Sequence, residues 1–207
     1  MKKIFFLGWL LLLFPIIASA QEKIEAPVWN VGDKWTYKGA TGKTWTNEVE
    51  EIKDDVFILK LSGRRNLVAY DKKTMNHKYL LGKDGRQVES EDATRKLLNF
   101  PLHVGKKWTD ITYHYPLPDT QKRTGKALFN EDFKIEGIEE VLTAAGTFEA
   151  YRIYFEHSNR KARASGWIRY WYSPEAKTWV KREAEKSLFW RTTPWAQNAE
   201  LISYELK

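Results

Sequence analysis

Phe148-Glu149-Ala150-Tyr151-Arg152-Ile153-Tyr154-Phe155-Glu156 is the stretch on which the fold turns. In an extended chain Tyr151, Ile153 and Phe155 share one side, and Arg152 and Glu156 take the other. Alternation at period two marks a strand with one buried face. The same reading extends outward in both directions. Ahead of it, Phe133–Leu142 reads as a strand, joined through Ala144-Ala145-Gly146-Thr147, with Gly146 supplying the positive φ of a tight hairpin. Behind it, Ser165–Ser173, Thr178–Ala184 and Ala199–Leu206 continue the pattern, with Ser173-Pro174-Glu175-Ala176 as a turn.

Upstream, Val56–Leu61, Arg65–Tyr70, Asn76–Leu81 and Trp108–Tyr115 are bounded by Gly, Pro, Asn and Asp. Lys83-Asp84-Gly85-Arg86 carries the Asp-Gly pair of a tight primed turn. Only 89–99 has a helical look, with Ser90 as a cap and Leu97 and Leu98 as one apolar edge. About ten strands joined by short turns exclude a parallel α/β sheet, whose crossovers need helices. The expected fold is all-β: an antiparallel, strongly curved sheet or partly closed barrel, with at most one short helix near 90–99. A transmembrane barrel is excluded by strand 44–53, where Asn47, Glu51 and Lys53 occupy one face and Glu48 and Glu50 the other. Neither face could meet lipid.

Residues 1–20 read as a secretory signal peptide. Lys2 and Lys3 precede an apolar run from Ile4 to Ile17, and Ala18-Ser19-Ala20 gives a small-x-small cleavage pattern. The run is shorter than a membrane span. Cleavage would leave residues 21–207 as a single exported β-domain of 187 residues, with a net charge of +5 where the whole chain has +7. The destination is periplasmic or extracellular, with no membrane span after cleavage. The chain has no cysteine, which excludes disulfides, thiolate metal sites, cysteine nucleophiles and a lipidated-cysteine anchor.

One internal echo stands out. Val31-Gly32-Asp33-Lys34-Trp35-Thr36 matches Val104-Gly105-Lys106-Lys107-Trp108-Thr109 at five of six positions, 73 residues apart. Each copy has a proline upstream, Pro27 and Pro101. The physical reading is a glycine turn feeding a strand whose tryptophan points inward. A duplication and a repeated local solution both fit.

Val31-Gly32-Asp33-Lys34-Trp35-Thr36-Tyr37 and Phe100-Pro101-Leu102-His103-Val104-Gly105-Lys106-Lys107-Trp108, with Ala145-Gly146-Thr147-Phe148-Glu149-Ala150-Tyr151, Tyr170-Trp171-Tyr172-Ser173-Pro174, Val180-Lys181-Arg182-Glu183 and Leu201-Ile202-Ser203-Tyr204, resemble a group of exported bacterial β-proteins of unknown function described as similar to TapB. The likeness spans about residues 28 to 206. It implies a curved antiparallel sheet in the envelope. It implies no activity and carries over no catalytic or ligand residue.

The search for chemistry is mostly negative. There is no Gly-x-Ser-x-Gly elbow, no Gly-rich phosphate loop and no metal-spaced set among His77, His103, His114 and His157. Adjacent carboxylates such as Glu139-Glu140 point to opposite faces of a strand and make no dyad. The expectation is therefore a non-enzyme with no cofactor and no metal. A glycan or lipid hydrolase would need two carboxylates, or a Ser with a His, facing one cleft. Nucleic acid is not an expected partner, because the positive excess is mild and the chain is exported.

The strongest anomaly is aromatic. In Trp167-Ile168-Arg169-Tyr170-Trp171-Tyr172, Trp167, Arg169 and Trp171 share one face and Ile168, Tyr170 and Tyr172 the other. Trp179, Trp190 and Trp195 follow, with Lys181, Arg182 and Arg191 nearby. One face can pack on the core. The other, with Arg169 between two tryptophans, is expected to line a concave face that stacks on an apolar or glycan-like ligand. Packing of these rings in the core and at sheet edges is the competing reading. The stretch Phe189–Trp195 reads as a loop that either plugs the open end of the sheet or meets a partner. A structural or assembly factor that binds an envelope protein is the alternative to a ligand-binding module.

Overall fold

A computed structural model describes residues 23–82, 84–90, 96–114, 127–159, 164–185 and 198–207. The alternating segments form strands: β1 Lys34–Gly39, β2 Thr44–Lys53, β3 Val56–Leu61, β4 Leu67–Asp71, β5 His77–Leu81 and β6 Gln87–Ser90. The second half supplies β7 Lys107–His114, β8 Ala127–Thr143, β9 Gly146–Asn159, β10 Ala164–Ser173, β11 Thr178–Ala184 and β12 Ala199–Glu205. All twelve lie in one sheet of order β6-β5-β4-β3-β2-β1-β12-β11-β10-β9-β8-β7, and each of its neighbouring pairs is antiparallel. The chain thus runs outward from β1 to β6, restarts at the far edge with β7, and returns until β12 pairs with β1. The sheet is open between β6 and β7 and does not close into a barrel. The described residues contain no helix. Of the expected helical stretch 89–99, 89–90 belong to β6, 96–99 are irregular, and 91–95 fall outside the described residues.

The sheet is strongly curved. β8 touches β11 and β12, which are not its neighbours in the sheet. Six of the eleven pairings carry a register shift, and such bulges bend a strand and increase its twist. One core cluster joins Trp29, Trp35, Tyr37, Phe57 and Phe148, drawn from both halves of the chain. A second joins Phe133, Ile153, Phe155, Ile168, Tyr170 and Tyr172. The segment after β6 packs against both clusters. Leu98 exchanges hydrogen bonds with the Asn76 side chain, its N–H donating to Oδ1 at 3.3 Å and its carbonyl accepting from Nδ2 at 3.1 Å. Phe100 sits edge-on to Tyr172 at 5.6 Å, and Leu102 is fully buried. Leu102 and Ile24 also exchange backbone hydrogen bonds at 2.9 and 2.7 Å.

Candidate functional site

The register decides which side chains meet on β10. Its pairing with β9 is regular, placing Ile168 opposite Phe155, Tyr170 opposite Ile153 and Tyr172 opposite Tyr151. These six are the buried face. Trp167, Arg169 and Trp171 alternate with them and lie opposite Glu156, Tyr154 and Arg152 on the outer face, which is partly exposed at Trp167 and Arg169 but buried at Trp171, a member of the core cluster that holds Trp35. The expected sharing of faces is therefore what the strand adopts. The rest of the expected groove is arranged differently.

Trp179 lies on the core face. β10 and β11 shift register between Trp171 and Tyr172, so Trp171 pairs with Lys181 but Tyr172 pairs with Trp179. Trp179 then stacks on Tyr37 with ring centroids 4.0 Å apart and meets Tyr170 edge-on at 6.1 Å. The guanidinium of Arg182, a buried residue, lies 5.3 Å from the Trp179 ring, and burial pulls the Arg182 pKa below its ordinary value. Tyr37 is fully buried and shares a 2.9 Å hydrogen bond with the Thr178 hydroxyl, and burial holds its phenol far above the ordinary tyrosine range. Trp179 is thus a partly buried side chain packed against the core, on the opposite face from Trp167. Trp190 and Trp195 lie outside the described residues.

On the outer face the tryptophans are joined by charge. Trp171 is 5% exposed and donates its indole N–H to Glu139 Oε1 at 2.6 Å. Lys181 Nζ lies 4.8 Å from the Trp171 ring and 2.8 Å from Glu183. Arg152 donates through Nη1 to Glu139 Oε2 at 2.7 Å, and its Nε lies 2.9 Å from Glu136 Oε2. Arg169 Nε is 3.5 Å from the same Glu136 oxygen. The Arg169 guanidinium sits 4.9 Å from the Trp167 ring and 5.4 Å from the Tyr154 ring, two rings that themselves stack at 6.3 Å. Arg169 therefore lies against Trp167 and Tyr154, and not between the two tryptophans. Tyr154 donates to Glu156 at 2.6 Å, and burial followed by that carboxylate pushes its phenol up to about 12.

A bulge builds this arrangement. β8 shifts register against β9 between Ile135 and Gly137, so Glu136 is the extra residue. A bulge re-aims a side chain, and here Glu136 reaches both Arg152 and Arg169. Sequence reading missed Glu136, Glu139, Arg152 and Tyr154 as partners of the tryptophans. One signal was available: an isolated glycine, Gly137, in a strand pattern points to a bulge.

Chemically, the strip pairs each of Arg152, Arg169 and Lys181 with a carboxylate of Glu136, Glu139 or Glu183. It offers aromatic surface beside fixed hydrogen-bond donors and acceptors, without a local excess of charge. Glu136 and Glu139 both engage Arg152, so neither stands free beside a cleft. Next to Lys181 an open cleft of about 210 Å³ is lined by Lys38, Lys181, Arg182, Glu183, Asn198 and Glu200, among others. No three His, Asp or Glu among the described residues are grouped to hold a metal.

No protein-family model matches this chain, and no curated protein matches it. Solved structures do. The hypothetical lipoprotein YmcC from Escherichia coli superposes with a TM-score of 0.51 at 10% identity, over 89% of this chain and 90% of that one. A protein from Parabacteroides distasonis, provisionally described as a lipoprotein, gives 0.44 at 13% identity over 89% and 100% of the two chains. A Bacteroides fragilis protein with YmcC-like fold, provisionally described as exported, gives 0.43 at 16% identity over 88% and 99%. The likeness to YmcC is one of fold, and it agrees with an open antiparallel sheet. At such identity it carries no function.

Proposed function

We propose that this chain is an exported, non-catalytic binding module of the cell envelope that takes a glycan-like ligand on the outer face of β9 and β10. The observation that carries this reading is the strip from Trp167 to Trp171. The Trp167 ring is partly exposed, the Trp171 ring is buried, and both lie beside guanidinium and carboxylate groups held in ion pairs. Such a surface stacks on a sugar ring and bonds its hydroxyls with little ordering cost. The balanced charge favours a glycan over an anionic ligand, and the polar groups favour it over a purely apolar one. A non-enzymatic role is supported by the engagement of Glu136 and Glu139 with Arg152. Export through a cleavable signal at residues 1–20, to the periplasm or beyond, is part of the same reading and rests on the sequence pattern. So does the TapB-like resemblance, which rests on the quoted stretches of sequence.

Tryptophan fluorescence titrated with envelope glycans tests the proposal. Trp167→Ala is expected to abolish the response and leave the fold intact. Trp171→Ala is expected to cost about 3 kcal/mol of stability as well, because its ring is buried. A wild-type response to lipids but to no glycan, or an unchanged glycan response in Trp167→Ala, would sink it. The second reading, an assembly factor working through a sheet edge, draws on the open edge of β7. It predicts a protein partner lost when Thr109 is replaced by Pro, with the glycan response absent throughout.

A further inference from the structure

The face that carries Trp167 continues past Trp171 across the neighbouring strands. Arg169 on β10 is the register partner of Glu183 on β11, and Trp171 is that of Lys181. Lys181 pairs in turn with Glu200 on β12, and Glu200 with Lys38 on β1. Residues directly opposite each other point to the same side of a sheet. Glu183, Lys181, Glu200 and Lys38 therefore extend the Trp167 face, and all four line the open cleft of about 210 Å³. Strip and cleft share two of these residues. Lys181 Nζ lies 4.8 Å from the Trp171 ring and 2.8 Å from Glu183, and Glu183 stands beside Arg169. Arg182, which also lines the cleft, directs its guanidinium to the Trp179 ring on the opposite face.

The cleft offers groups that the strip does not. On the strip every cation is ion-paired. In the cleft Lys38 is exposed and Glu200 partly so, and among the described residues neither side chain has an ion-pair or hydrogen-bond partner. Asn198 is fixed at the same place: its Oδ1 accepts the Ala184 N–H and its carbonyl accepts the Ala40 N–H, each at 2.9 Å. That leaves its amide N–H groups to donate. An ammonium, a carboxylate and an amide thus stand open together with no net charge. An anionic group would meet Glu200 and a cationic one Lys38. A sugar hydroxyl both donates and accepts, so neighbouring hydroxyls of one ring suit this mixed set. Pockets that enclose drug-sized ligands hold roughly 300–1,000 Å³, so a cleft of about 210 Å³ takes one small ring.

Resting on the reading of the strip as a glycan platform, we propose that this cleft is a second sugar subsite, and that the ligand is a neutral oligosaccharide lying across β10, β11 and β12. β12 is two strands from β10, about 10 Å at the usual strand spacing. A single ring on Trp167 cannot reach that far, whereas linked rings can. Trp167 supplies the stacking plane, and Lys38, Glu200 and Asn198 supply the hydrogen bonds that orient the next units. Once one unit is held on the strip, the second contact is intramolecular and adds affinity at a high effective concentration.

Calorimetric titration of the protein with two neutral series, N-acetylglucosamine and glucose oligomers of increasing length from the single unit, tests it. In the series that binds, affinity is expected to rise by about tenfold or more from the single unit to the longest oligomer. Lys38→Met combined with Glu200→Gln should remove that rise and leave the single-unit affinity unchanged. Trp167→Ala should weaken binding at every length. Thermal unfolding checks that the variants fold; none of the three side chains is buried. Equal affinity at all lengths, or a rise that survives the double variant, would overturn the second subsite and leave the strip standing. A rise lost in the double variant but untouched by Trp167→Ala would overturn the strip and, with it, the bridging ligand. Silence toward both series would overturn both.

Discussion

Val31–Thr36 and Val104–Thr109 make the same turn in two different places. Gly32 N–H donates to the Val49 carbonyl and Val49 N–H returns to Asp33; Gly105 N–H donates to Ile135 and Ile135 N–H returns to Lys106. Asp33 N–H reaches back to Asn30 as Lys106 N–H reaches back to His103. Both glycines have positive φ, +89° and +81°. Beyond the turn the copies diverge. β1 is central, flanked by β2 and β12, and Trp35 is 1% exposed with its indole N–H donating to the Ala176 carbonyl at 2.7 Å. β7 is an edge strand, and Trp108 is only partly buried, stacked on Phe133 at 5.0 Å, with its indole N–H donating to the Lys96 carbonyl.

The one mismatched position shows what each setting requires. Asp33 is fully buried and accepts backbone N–H bonds from Asn30 and Lys207, with Lys177 3.6 Å away. Lys106 instead donates to the carbonyls of Asn99 and Pro101. A carboxylate serves where orphan N–H groups converge, and an ammonium where orphan carbonyls do. The same backbone turn thus carries opposite charges, each chosen by the chain that passes over it.

The largest difference is expected for the tryptophans: Trp35→Ala should cost about 4 kcal/mol in urea unfolding, and Trp108→Ala about half of that. Equal losses would mean that edge and centre are packed alike. Next, Asp33→Ala should cost about 3 kcal/mol because it strands buried N–H groups, and Lys106→Met about 1–2 kcal/mol because its carbonyls are nearer to water. The glycines come third. Each Ala substitution bears the left-handed penalty of about 1–2 kcal/mol, but a Cβ at Gly32 would also meet Lys207 Cγ at 3.2 Å, whereas none meets Gly105. Gly32→Ala should therefore melt lower.

The smallest effect concerns pH. Burial raises the phenols of Tyr37 and Tyr172 above the ordinary 10.0. Above that pH the unfolded chain releases protons that the folded chain keeps, so stability falls as pH rises. Lys106 acts in the opposite sense. Burial lowers it from 10.5, so just below that pH the unfolded chain binds more protons, and stability gains as pH rises. The hydroxyl of Tyr172 has no hydrogen-bond partner among the described residues. Tyr172→Phe should be near neutral at pH 7 and should flatten the alkaline loss, as read from unfolding midpoints across pH. A steeper loss in the variant would contradict the burial argument.

Much of the strand layout was readable from the chain. Val56–Leu61 and Thr178–Ala184 match their strands at both ends, because alternation and turn residues act locally. The face shared by Trp167, Arg169 and Trp171 was readable for the same reason: β9 and β10 pair without a bulge. Trp179 was not. By parity it should side with Lys181, and only the shift opposite Trp171 and Tyr172 turns it inward. The 96–100 segment was also opaque. Leu98 looks like the apolar edge of a helix, but it is held by Asn76, and Lys96 is held by Asp110 and Trp108.

Residue order alone determined the extended strands, their two faces and the glycine turns, since steric limits on φ and the pleat act between near neighbours. Tertiary structure decided which face was covered, that the chain's two ends pair as β1 and β12, and that Glu136 meets two arginines. Those outcomes depend on contacts such as Trp35 with Ala176 and Asp33 with Lys207, more than 140 residues apart. Burial at that range follows from where the whole sheet bends, and Gly137 is a local sign of only one of the six bulges that bend it.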